Sequence, residues 1–437
     1  MAARSVHVQF DVVAMPNTKL VLVGSGLSHG EWSSGLQPPN SLTPPTTSIS
    51  WQSESDGFLT GTQGWVRFYP VTPGGSAPAN PPDEETIYIT WDDPYTGANA
   101  YSSTAPSPYR INGGSVLDYN ADNDSAVFTL SFAGELQTSN TAPALANFAP
   151  GPEGSQLVMA YVATNKSNDL FVTTTDTLGT WSQSSPVTGQ QSKIAPALTE
   201  FNGQLVLAYI ANNSSADLLI AKSKDSVNWS WCSQVPGQSS ALAPAITVFK
   251  SELLVAYVAR NSSNDLLLAT TSNSGANWNN SQTVSEPNGV LQSSPFTPAI
   301  TVMGGELYVA YVANDGSNDL IVTKSSNLSS WTTTRVAGQT SPGTPALTSF
   351  GTTLVMVYRA DNGSLDLTAT VSINGGATWS TGKAINGPQT SPMPPSLATF
   401  TNGVVLAYVS NDTSQRLIVS TSSDGMNWQP GTNVTGP

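Results

Sequence analysis

The stretch Pro196-Ala-Leu-Thr-Glu-Phe-Asn-Gly-Gln-Leu-Val-Leu-Ala-Tyr-Ile-Ala-Asn-Asn-Ser-Ser-Ala-Asp217 decides the fold of most of this chain. It predicts two short strands, 196–201 and 205–211, because the Asn-Gly pair between them favours a tight hairpin turn. The second strand is apolar at nearly every position, so both of its faces must be covered. After a polar loop, strand patterns at 217–222 and 228–235 complete a unit of four strands.

The same unit occurs six times, and three landmarks recur in each copy. A Pro-Ala-Leu/Ile phrase opens the unit (altered in the last copy), an apolar run ending in tyrosine follows, and a tryptophan comes near the end. The prolines recur at steps of 53, 48, 54, 47 and 50 residues, and the tryptophans at 48, 49, 53, 48 and 49. A period near 49 with four strands per unit predicts a six-bladed β-propeller at residues 139–437. The landmarks are Pro143, Pro196, Pro244, Pro298, Pro345 and Pro395; Tyr161, Tyr209, Tyr257, Tyr311, Tyr358 and Tyr408; and Trp181, Trp229, Trp278, Trp331, Trp379 and Trp428.

A second phrase precedes several of these tryptophans, as in Ser372-Ile-Asn-Gly-Gly-Ala-Thr-Trp379 and Thr271-Ser-Asn-Ser-Gly-Ala-Asn-Trp278. It resembles the Asp-box of sialidase-type propellers, a Ser/Thr-x-Asp-x-Gly-x-Thr-Trp turn between the third and fourth strands. The Asp or Asn side chain would accept hydrogen bonds from turn amides, and the indole would fill the space between sheets. The resemblance therefore implies that the six tryptophans pack in the core rather than bind a ligand.

Residues 1–138 share nothing with the repeat and are predicted to form a separate domain. Strand-like runs divided by proline-rich turns predict a β-sandwich, which makes the fold class all-β. We place the run 126–132 in this domain, the alternative being that part of it pairs with the last blade. The predicted strands are Val6–Val13, Leu20–Gly24, Ser48–Trp51, Trp65–Tyr69, Thr86–Trp91 and Ser125–Phe132.

Phrases in this first domain, among them Trp51-Gln-Ser-Glu-Ser-Asp-Gly57, Gly61-Thr-Gln-Gly64 and Trp91-Asp-Asp-Pro-Tyr95, are similar to the aegerolysin family. That family consists of small β-sandwich proteins that bind membrane lipids and sometimes form pores with a partner, so the resemblance implies a membrane-binding or toxin-like domain. Indole and phenol rings suit a lipid surface, although core packing is the alternative for the same rings. The residues assigned to membrane binding are Trp32, Trp65, Trp91, Tyr95 and Tyr101.

The composition excludes several functions. A net charge of −14 would repel a phosphate backbone, so we expect no nucleic-acid partner. The single cysteine, Cys232, cannot form an internal disulfide and is interpreted as a buried thiol.

The acidic run Asp118–Asp124 begins like a calcium loop but lacks its central glycine, so we predict a solvated turn, no metal and no cofactor. Without a signal-peptide pattern, the protein is expected in the cytoplasm or to be secreted by another route.

Catalysis is not predicted. A sialidase needs three arginines that converge on a substrate carboxylate, together with a tyrosine–carboxylate nucleophile pair and an acid. The four propeller arginines occupy different places in their repeats, and the propeller contains no histidine. We expect a protein that is not an enzyme, and sialidase-type hydrolysis is kept as an alternative.

Binding is the function that repetition favours, because six similar blades can present several similar pockets and weak sugar contacts add up. The polar loops from the second to the third strand and from the fourth to the next first strand share one face, and their amides and carboxylates suit sugar hydroxyls. Turn formation is the alternative use of these side chains. The leading hypothesis is a multivalent lectin with glycans or glycoconjugates as partners, and its rival is a protein–protein scaffold. The residues assigned to carbohydrate binding are Asn165, Asp169, Gln190, Asn213, Asp217, Gln238, Arg260, Asn261, Asp265, Asp315, Asp319, Gln339, Arg359, Asp366, Gln389, Arg416 and Trp231.

Overall fold

The structure, a computed structural model, contains two compact units, residues 1–135 with Pro437 and residues 136–436, and each is described by itself. Strands make up the regular structure of the described residues, apart from one 3-10 helix at Asp83–Glu85. No helix in the described part of the chain is long and apolar enough to span a membrane. The described residues are 4–13, 19–43, 48–71, 76–106, 109–116, 123–132, 136–149, 154–164, 168–230, 233–273, 275–286, 288–385 and 389–436.

The first unit is a sandwich of two five-stranded sheets, with strand orders β3-β5-β1-β10-β9 and β4-β2-β6-β7-β8. Neighbouring strands are antiparallel except β1 and β10, which run parallel and pair Ser5 with Asn123. The strands are β1 Ser5–Val13, β2 Lys19–His29, β3 Glu31–Trp32, β4 Ser41–Leu42, β5 Ser48–Glu54, β6 Thr62–Val71, β7 Ile87–Asp93, β8 Ala100–Thr104, β9 Tyr109–Val116 and β10 Asn123–Phe132.

One hydrophobic core lies between these two sheets. Alternate residues of β1 and β6 point into it, as the period of two along a strand requires. The rings of Phe10 from one sheet and Phe68 from the other stack with centroids 5.7 Å apart, and both side chains are fully buried. The β-sandwich prediction is confirmed, and the run 126–132 lies within β10 as expected.

The second unit contains six antiparallel four-stranded sheets, each formed by four strands that follow one another in the chain. We call each of these sheets a blade, and the blades follow one another in chain order. They are β11 Ala144–Phe148, β12 Gln156–Val162, β13 Asp169–Thr175, β14 Ser185–Gln191; β15 Ala197–Phe201, β16 Gln204–Ile210, β17 Asp217–Ser223, β18 Ser233–Ser239; β19 Ala245–Phe249, β20 Glu252–Val258, β21 Leu266–Thr271, β22 Gln282–Thr283; β23 Ala299–Met303, β24 Glu306–Val312, β25 Asp319–Ser325, β26 Thr332–Thr340; β27 Ala346–Phe350, β28 Thr353–Arg359, β29 Leu367–Ser372, β30 Lys383–Ala384; and β31 Ser396–Phe400, β32 Gly403–Val409, β33 Leu417–Ser422, β34 Thr432–Asn433.

The first strands of the blades form a closed ring. Each contacts the first strand of the next blade, and β31 of the last blade contacts β11 of the first. The five Pro-Ala-Leu/Ile segments that open the repeats, and the altered last one, line a channel along the axis of this ring. The six-bladed β-propeller predicted from the repeat is therefore confirmed.

The second strand of each blade is buried on both faces, as its continuous apolar pattern requires. In β16, for example, the run from Leu205 to Tyr209 is at most 1% exposed, and its residues divide between the cores on either side of the blade. Burying one leucine side chain stabilises the fold by about 1.5–3 kcal/mol. These cores between neighbouring blades hold the propeller together.

In the second to sixth blades, the turn between the third and fourth strands is built on an Asp or Asn side chain, whereas threonine hydroxyls take this role in the first blade. In the second blade, Asp225 Oδ1 accepts hydrogen bonds from the amides of Val227 and Asn228 at 3.0 and 2.7 Å. Hydrogen bonds, first of all from the Asn228 side chain, lower the pKa of Asp225 to about 2. Trp229 follows and bridges back to Ser223 as part of the turn. The fourth strand therefore begins at Ser233, and the prediction of a strand from 228 was wrong at that end.

The tryptophans after these turns pack in the cores between blades, as predicted. Trp181, Trp331 and Trp428 are only 2–3% exposed, and the other three pack against the cores while partly buried. Cys232 and its neighbour Trp231 lie outside the described residues, so the interpretations of these two side chains stay predictions.

Residues 136–139 complete the last blade, which the sequence analysis did not foresee. Leu136 bridges to Thr435 and Thr138 to Arg416. The amide of Leu417 donates a hydrogen bond of 2.7 Å to the Gln137 carbonyl. The beginning and the end of the second unit are thus joined by backbone hydrogen bonds, and this closes the ring of blades.

Candidate functional site

We call the surface formed by the loops between second and third strands and by the links between blades the loop face. The surface with the tryptophan turns is the turn face. Because the strands of each blade alternate in direction, these two faces lie at opposite ends of the strands. The repeated loops described on the loop face are 211–216, 259–264, 313–318, 360–366 and 410–416.

Each of these loops is fixed by its own polar side chains. In the second blade, Ser215 Oγ lies 2.7 Å from Asn213 Oδ1 and 2.6 Å from Asp217 Oδ2. The third blade repeats this bridge with Ser263 between Asn261 and Asp265, at 3.0 and 2.6 Å. At equivalent places in the two loops, the asparagines predicted to bind sugar are therefore exposed and the aspartates half-buried, and both also hold the turns.

The same serine bridge recurs in the fifth blade, where Ser364 Oγ donates to Asn362 Oδ1 at 2.6 Å and to Asp366 Oδ2 at 2.5 Å. In the fourth blade Asp315 Oδ1 accepts a hydrogen bond from the Ser317 amide at 2.9 Å. Asp366 therefore stands where the second and third blades also have a carboxylate, whereas Asp315 takes the place of the loop asparagine. Each of these carboxylates has lone pairs left for a ligand.

Neighbouring loops are also tied to each other by the third residue after the repeat tyrosine. Arg260 Nη1 donates to the carbonyls of Ser214 and Ser215 in the preceding blade, at 3.2 and 2.9 Å. At the next junction Asn314 Nδ2 donates to the Ser263 carbonyl at 3.3 Å. The identity of this residue differs between blades, so junctions with similar loops carry different chemistry.

Three of the other residues predicted to bind sugar form ion pairs or hydrogen bonds within the protein. Arg335 on β26 binds Asp319, and Asp169 accepts a hydrogen bond of 3.0 Å from Gln191. In the last blade Arg416 Nη2 pairs with Asp412 Oδ2 at 2.6 Å. Hydrogen bonds from Ser414 and then from Arg416 lower the pKa of Asp412. Asn165 lies outside the described residues.

The glutamines of the loop face connect blades rather than line pockets. Gln339 Oε1 accepts a hydrogen bond of 2.9 Å from Tyr358 in the next blade, and Gln339 Nε2 donates to the Ser380 carbonyl at 2.9 Å. Gln339 and Gln389 are 6% and 8% exposed, so the prediction that these two contact sugar is wrong. Burial also raises the pKa of Tyr358 to about 12.

The same tyrosine–glutamine bond is found at other junctions. Gln190 and Gln238, both half-buried, accept hydrogen bonds from Tyr209 and Tyr257. The sequence analysis missed two further members of this set, Gln137 and Gln292, which bond to Tyr161 and Tyr311. A spacing of 19 residues from glutamine to tyrosine could have identified Gln292.

The four propeller arginines do not converge. Arg260, Arg335, Arg359 and Arg416 belong to four successive blades and bind different partners. Arg359 is half-buried, which lowers its pKa, and it donates to the carbonyls of Pro392 and Pro342 at 2.9 and 3.3 Å. Arranged in this way, they do not form the triple clamp on one carboxylate that a sialidase requires.

The aromatic patch predicted for the first unit is not formed. Trp91 is 1% exposed and donates through Nε1 to Ser53 Oγ at 2.9 Å, so its assignment to membrane binding is wrong. Trp32 and Tyr101 pack against the same core, and the Tyr101 hydroxyl donates to Asp124 at 2.9 Å. Burial within a sandwich core accounts for these three rings.

Two of the predicted aromatic residues remain near the surface, and a different apolar pair is more exposed. Trp65 and Tyr95 are half-buried. Phe58 and Leu59, which the sequence analysis did not single out, are 75% and 50% exposed. Leu59 and Tyr95 border one groove together with His29.

Comparison with known proteins adds similarity of fold. No protein-family model matches the sequence, and neither does any curated protein. Among solved structures, the Aleuria aurantia lectin in complex with α-methyl-L-fucoside is 16% identical and superimposes with a TM-score of 0.52, over 69% of this chain and 97% of the lectin. An arginine-to-alanine mutant of AofleA from Arthrobotrys oligospora is 13% identical with a TM-score of 0.52, over 77% of this chain and 93% of that one. A further structure of the Aleuria aurantia lectin, described as a six-bladed β-propeller with a novel mode of fucose recognition, has a TM-score of 0.50 at 15% identity, over 69% of this chain and 98% of that one. At these identities the likeness shows that this chain shares the six-bladed propeller fold.

Proposed function

We propose that the second unit is a carbohydrate-binding module, a lectin that holds glycans at the junctions between blades on its loop face. The observation that carries this proposal is the repetition, around that face, of exposed amides and half-buried carboxylates that hydrogen bonds hold in place. Such groups both donate to and accept from sugar hydroxyls, and several weak sites on one ring give useful avidity. The fold is also one that the Aleuria aurantia lectin uses to bind a fucoside.

Arg260 marks the junction that we propose as the strongest site. Its guanidinium reaches from the third blade to the loop of the second blade, and the side chain is exposed. It therefore offers N–H donors at the junction of the two loops that carry Asp217 and Asp265, whose carboxylates are fixed by Ser215 and Ser263. Charge-assisted hydrogen bonds of this kind are stronger than neutral ones and suit a sugar diol.

We further propose that the protein binds its ligand without turnover. A sialidase would need three arginines at one place, whereas the four propeller arginines lie on separate blades. Release of the fluorophore from a fluorogenic sialoside by the full chain would contradict this part of the proposal.

A glycan array probed with the full chain tests the lectin proposal. We expect saturable binding to at least one sugar class, with fucosides as the first to examine. The variant Arg260→Ala should weaken binding, whereas Lys224→Ala, at an exposed lysine of the turn face, should leave it unchanged. An array that stays blank for fucose, galactose, hexosamine and sialic acid would refute the lectin function, and a protein captured in its place would favour a scaffold.

For the first unit we propose binding to a lipid surface through the loop tip at Phe58 and Leu59. Exposed neighbouring apolar side chains of this size are a liability in water and favour an interface. Tyr95, on the same groove as Leu59, would lie at the level of the headgroups. Because the chain carries a net charge of −14, we expect binding to neutral rather than anionic lipid.

Liposome flotation of the full chain with phosphatidylcholine vesicles tests this second proposal. The double variant Phe58→Ser, Leu59→Ser should lose flotation. The control Val290→Ser changes a residue of the second unit that is 54% exposed and should float like the parent protein. Absence of flotation for the parent protein, or equal flotation of the double variant, would contradict it.

A further inference from the structure

A group of buried polar side chains lies at one end of the sandwich in the first unit. Asp93 ends β7 in one sheet, and Asp124 is the second residue of β10 in the other sheet. Asn99 comes just before β8. These three residues are 0%, 3% and 9% exposed, respectively.

Part of this group is hydrogen-bonded. Arg4 Nη1 donates to Asp93 Oδ1 at 2.7 Å and to the Pro94 carbonyl at 2.7 Å. The Tyr101 hydroxyl donates to Asp124 Oδ2 at 2.9 Å, and Asn99 Nδ2 donates to the same oxygen. In each carboxylate, one of the two oxygens is therefore satisfied.

Within the described part of the chain, the remaining oxygens have no partner. Asp93 Oδ2, Asp124 Oδ1 and Asn99 Oδ1 are buried and accept no hydrogen bond from any described residue. Among the described residues, two buried carboxylates are accompanied by one guanidinium, that of Arg4, so the group carries an excess of negative charge. Buried charge without a counter-charge is strongly unfavourable, and buried oxygens without donors add to that cost.

We propose that a divalent cation with a preference for oxygen ligands, Ca²⁺ in the first place, binds between the two sheets at Asp93, Asp124 and Asn99. Two carboxylate oxygens and one amide oxygen are ligands that Ca²⁺ prefers, and water would complete its coordination. Mg²⁺ demands a near-octahedral arrangement, so an irregular set drawn from three chain segments suits Ca²⁺ better. Water alone would satisfy the oxygens without neutralising the charge.

The sequence analysis predicted no metal because these ligands lie on three separate segments. No cluster of three His, Cys, Asp or Glu side chains occurs among the described residues, and the third ligand here is an amide. Asp124 belongs to the acidic run at 118–124, but residues 117–122 lie outside the described part of the chain. The proposed site thus differs from the loop considered in the sequence.

Terbium luminescence of the full chain tests this proposal, with Tb³⁺ as a probe for Ca²⁺. Because Tyr101 is hydrogen-bonded to Asp124, excitation of aromatic residues should sensitise Tb³⁺ emission, and Ca²⁺ should displace the probe. Asp124→Asn is expected to lower the affinity by about tenfold or more, because it removes ligand charge. Asp11→Asn, near the opposite end of β1 from Arg4, is the matched control and should bind as the parent protein does.

A second variant and a second measurement show whether a loss of binding is caused by misfolding of the variant. Asn99→Ala removes only the amide ligand and should also weaken binding, and circular dichroism shows whether each variant folds. Ca²⁺ should raise the midpoint of thermal unfolding in the parent protein and not in Asp124→Asn. The proposal is overturned if no saturable signal appears up to about 10 mM Ca²⁺, well above the affinities of weak calcium modules. It is also overturned if both variants bind Tb³⁺ as tightly as the parent protein.

Discussion

Replacing Tyr358 by phenylalanine should weaken the junction between the fourth and fifth blades. The change removes a buried hydrogen bond of 2.9 Å and leaves Gln339 Oε1 without a donor, while the ring itself still packs. Both side chains are at most 6% exposed, so water cannot substitute freely. Leaving a buried acceptor unsatisfied costs about 1–3 kcal/mol, and we expect the free energy of unfolding to fall by that amount.

A double-mutant cycle with Gln339→Met separates this bond from other effects of the substitutions. Gln339→Met alone should cost more than Tyr358→Phe, because it also removes one of the two hydrogen bonds that the Ser380 carbonyl accepts, the other coming from Thr370. In the double variant the tyrosine–glutamine bond is lost only once, so we expect a coupling energy of roughly 1 kcal/mol. Chemical denaturation followed by circular dichroism provides the free energies. If the stability loss of the double variant equals the sum of the two single losses to within about 0.3 kcal/mol, the claim that this bond stabilises the junction is refuted.

Three further predictions concern turns and ring closure. Gly425→Ala should destabilise the propeller by about 1–3 kcal/mol more than the control Gly363→Ala, because a Cβ at residue 425 would lie 2.6 Å from Val355 whereas one at residue 363 meets nothing within 4 Å. The two glycines have similar φ values of 78° and 77°, so equal melting temperatures of the two variants would contradict the packing argument. The carboxyl of Asp225, whose pKa is lowered from 3.8 to about 2, should stay ionised in an NMR titration until the pH approaches 2. Its contribution to stability is present above pH 3.8 and is lost as the pH falls through 2. Titration of this carboxyl near pH 3.8 would show that the hydrogen bonds of the turn are absent. Gln137→Ala removes one of two acceptors of the Tyr161 hydroxyl, the other being Ser184, and should lower the free energy of unfolding by about 0.5–1.5 kcal/mol. Hydrogen exchange should increase first at the amides of Leu417 and Ser139, which pair the two ends of the second unit, and unchanged exchange there would argue against closure by this segment.

The fold could be predicted because its signals are local and repeated. The apolar second strand and the tyrosine and tryptophan landmarks recur in every unit, and the structure places them in equivalent positions. The start of the fourth strand was misplaced because Trp229 belongs to a turn fixed by Asp225. The apolar pattern of the sequence does not distinguish a tryptophan that belongs to a turn from a tryptophan within a strand.

The candidate sites were less predictable because they depend on contacts between distant segments. The loop carboxylates were identified, yet Gln339 proved to bond to Tyr358 of the next blade, a contact that no local pattern specifies. Trp91 looked suitable for a lipid interface until the pairing of β6 with β7 placed it in the core. Asp93 lies on one sheet and Asp124 on the other, so these two carboxylates come close only when both sheets are assembled.

The bridges of residues 136–139 to the last blade bear on how the protein folds. Thr138 and Arg416 are separated by 416 − 138 = 278 positions, and Leu136 and Thr435 by 435 − 136 = 299. Contacts between such remote positions are slow to form, because the intervening chain must first become ordered. During synthesis, the short segment 136–139 can pair with the first blade, as Ser139 does with Ala163, but it must wait for its partners in the last blade until all six blades have been made. Assembly of the last sheet is expected to be the slowest step of folding.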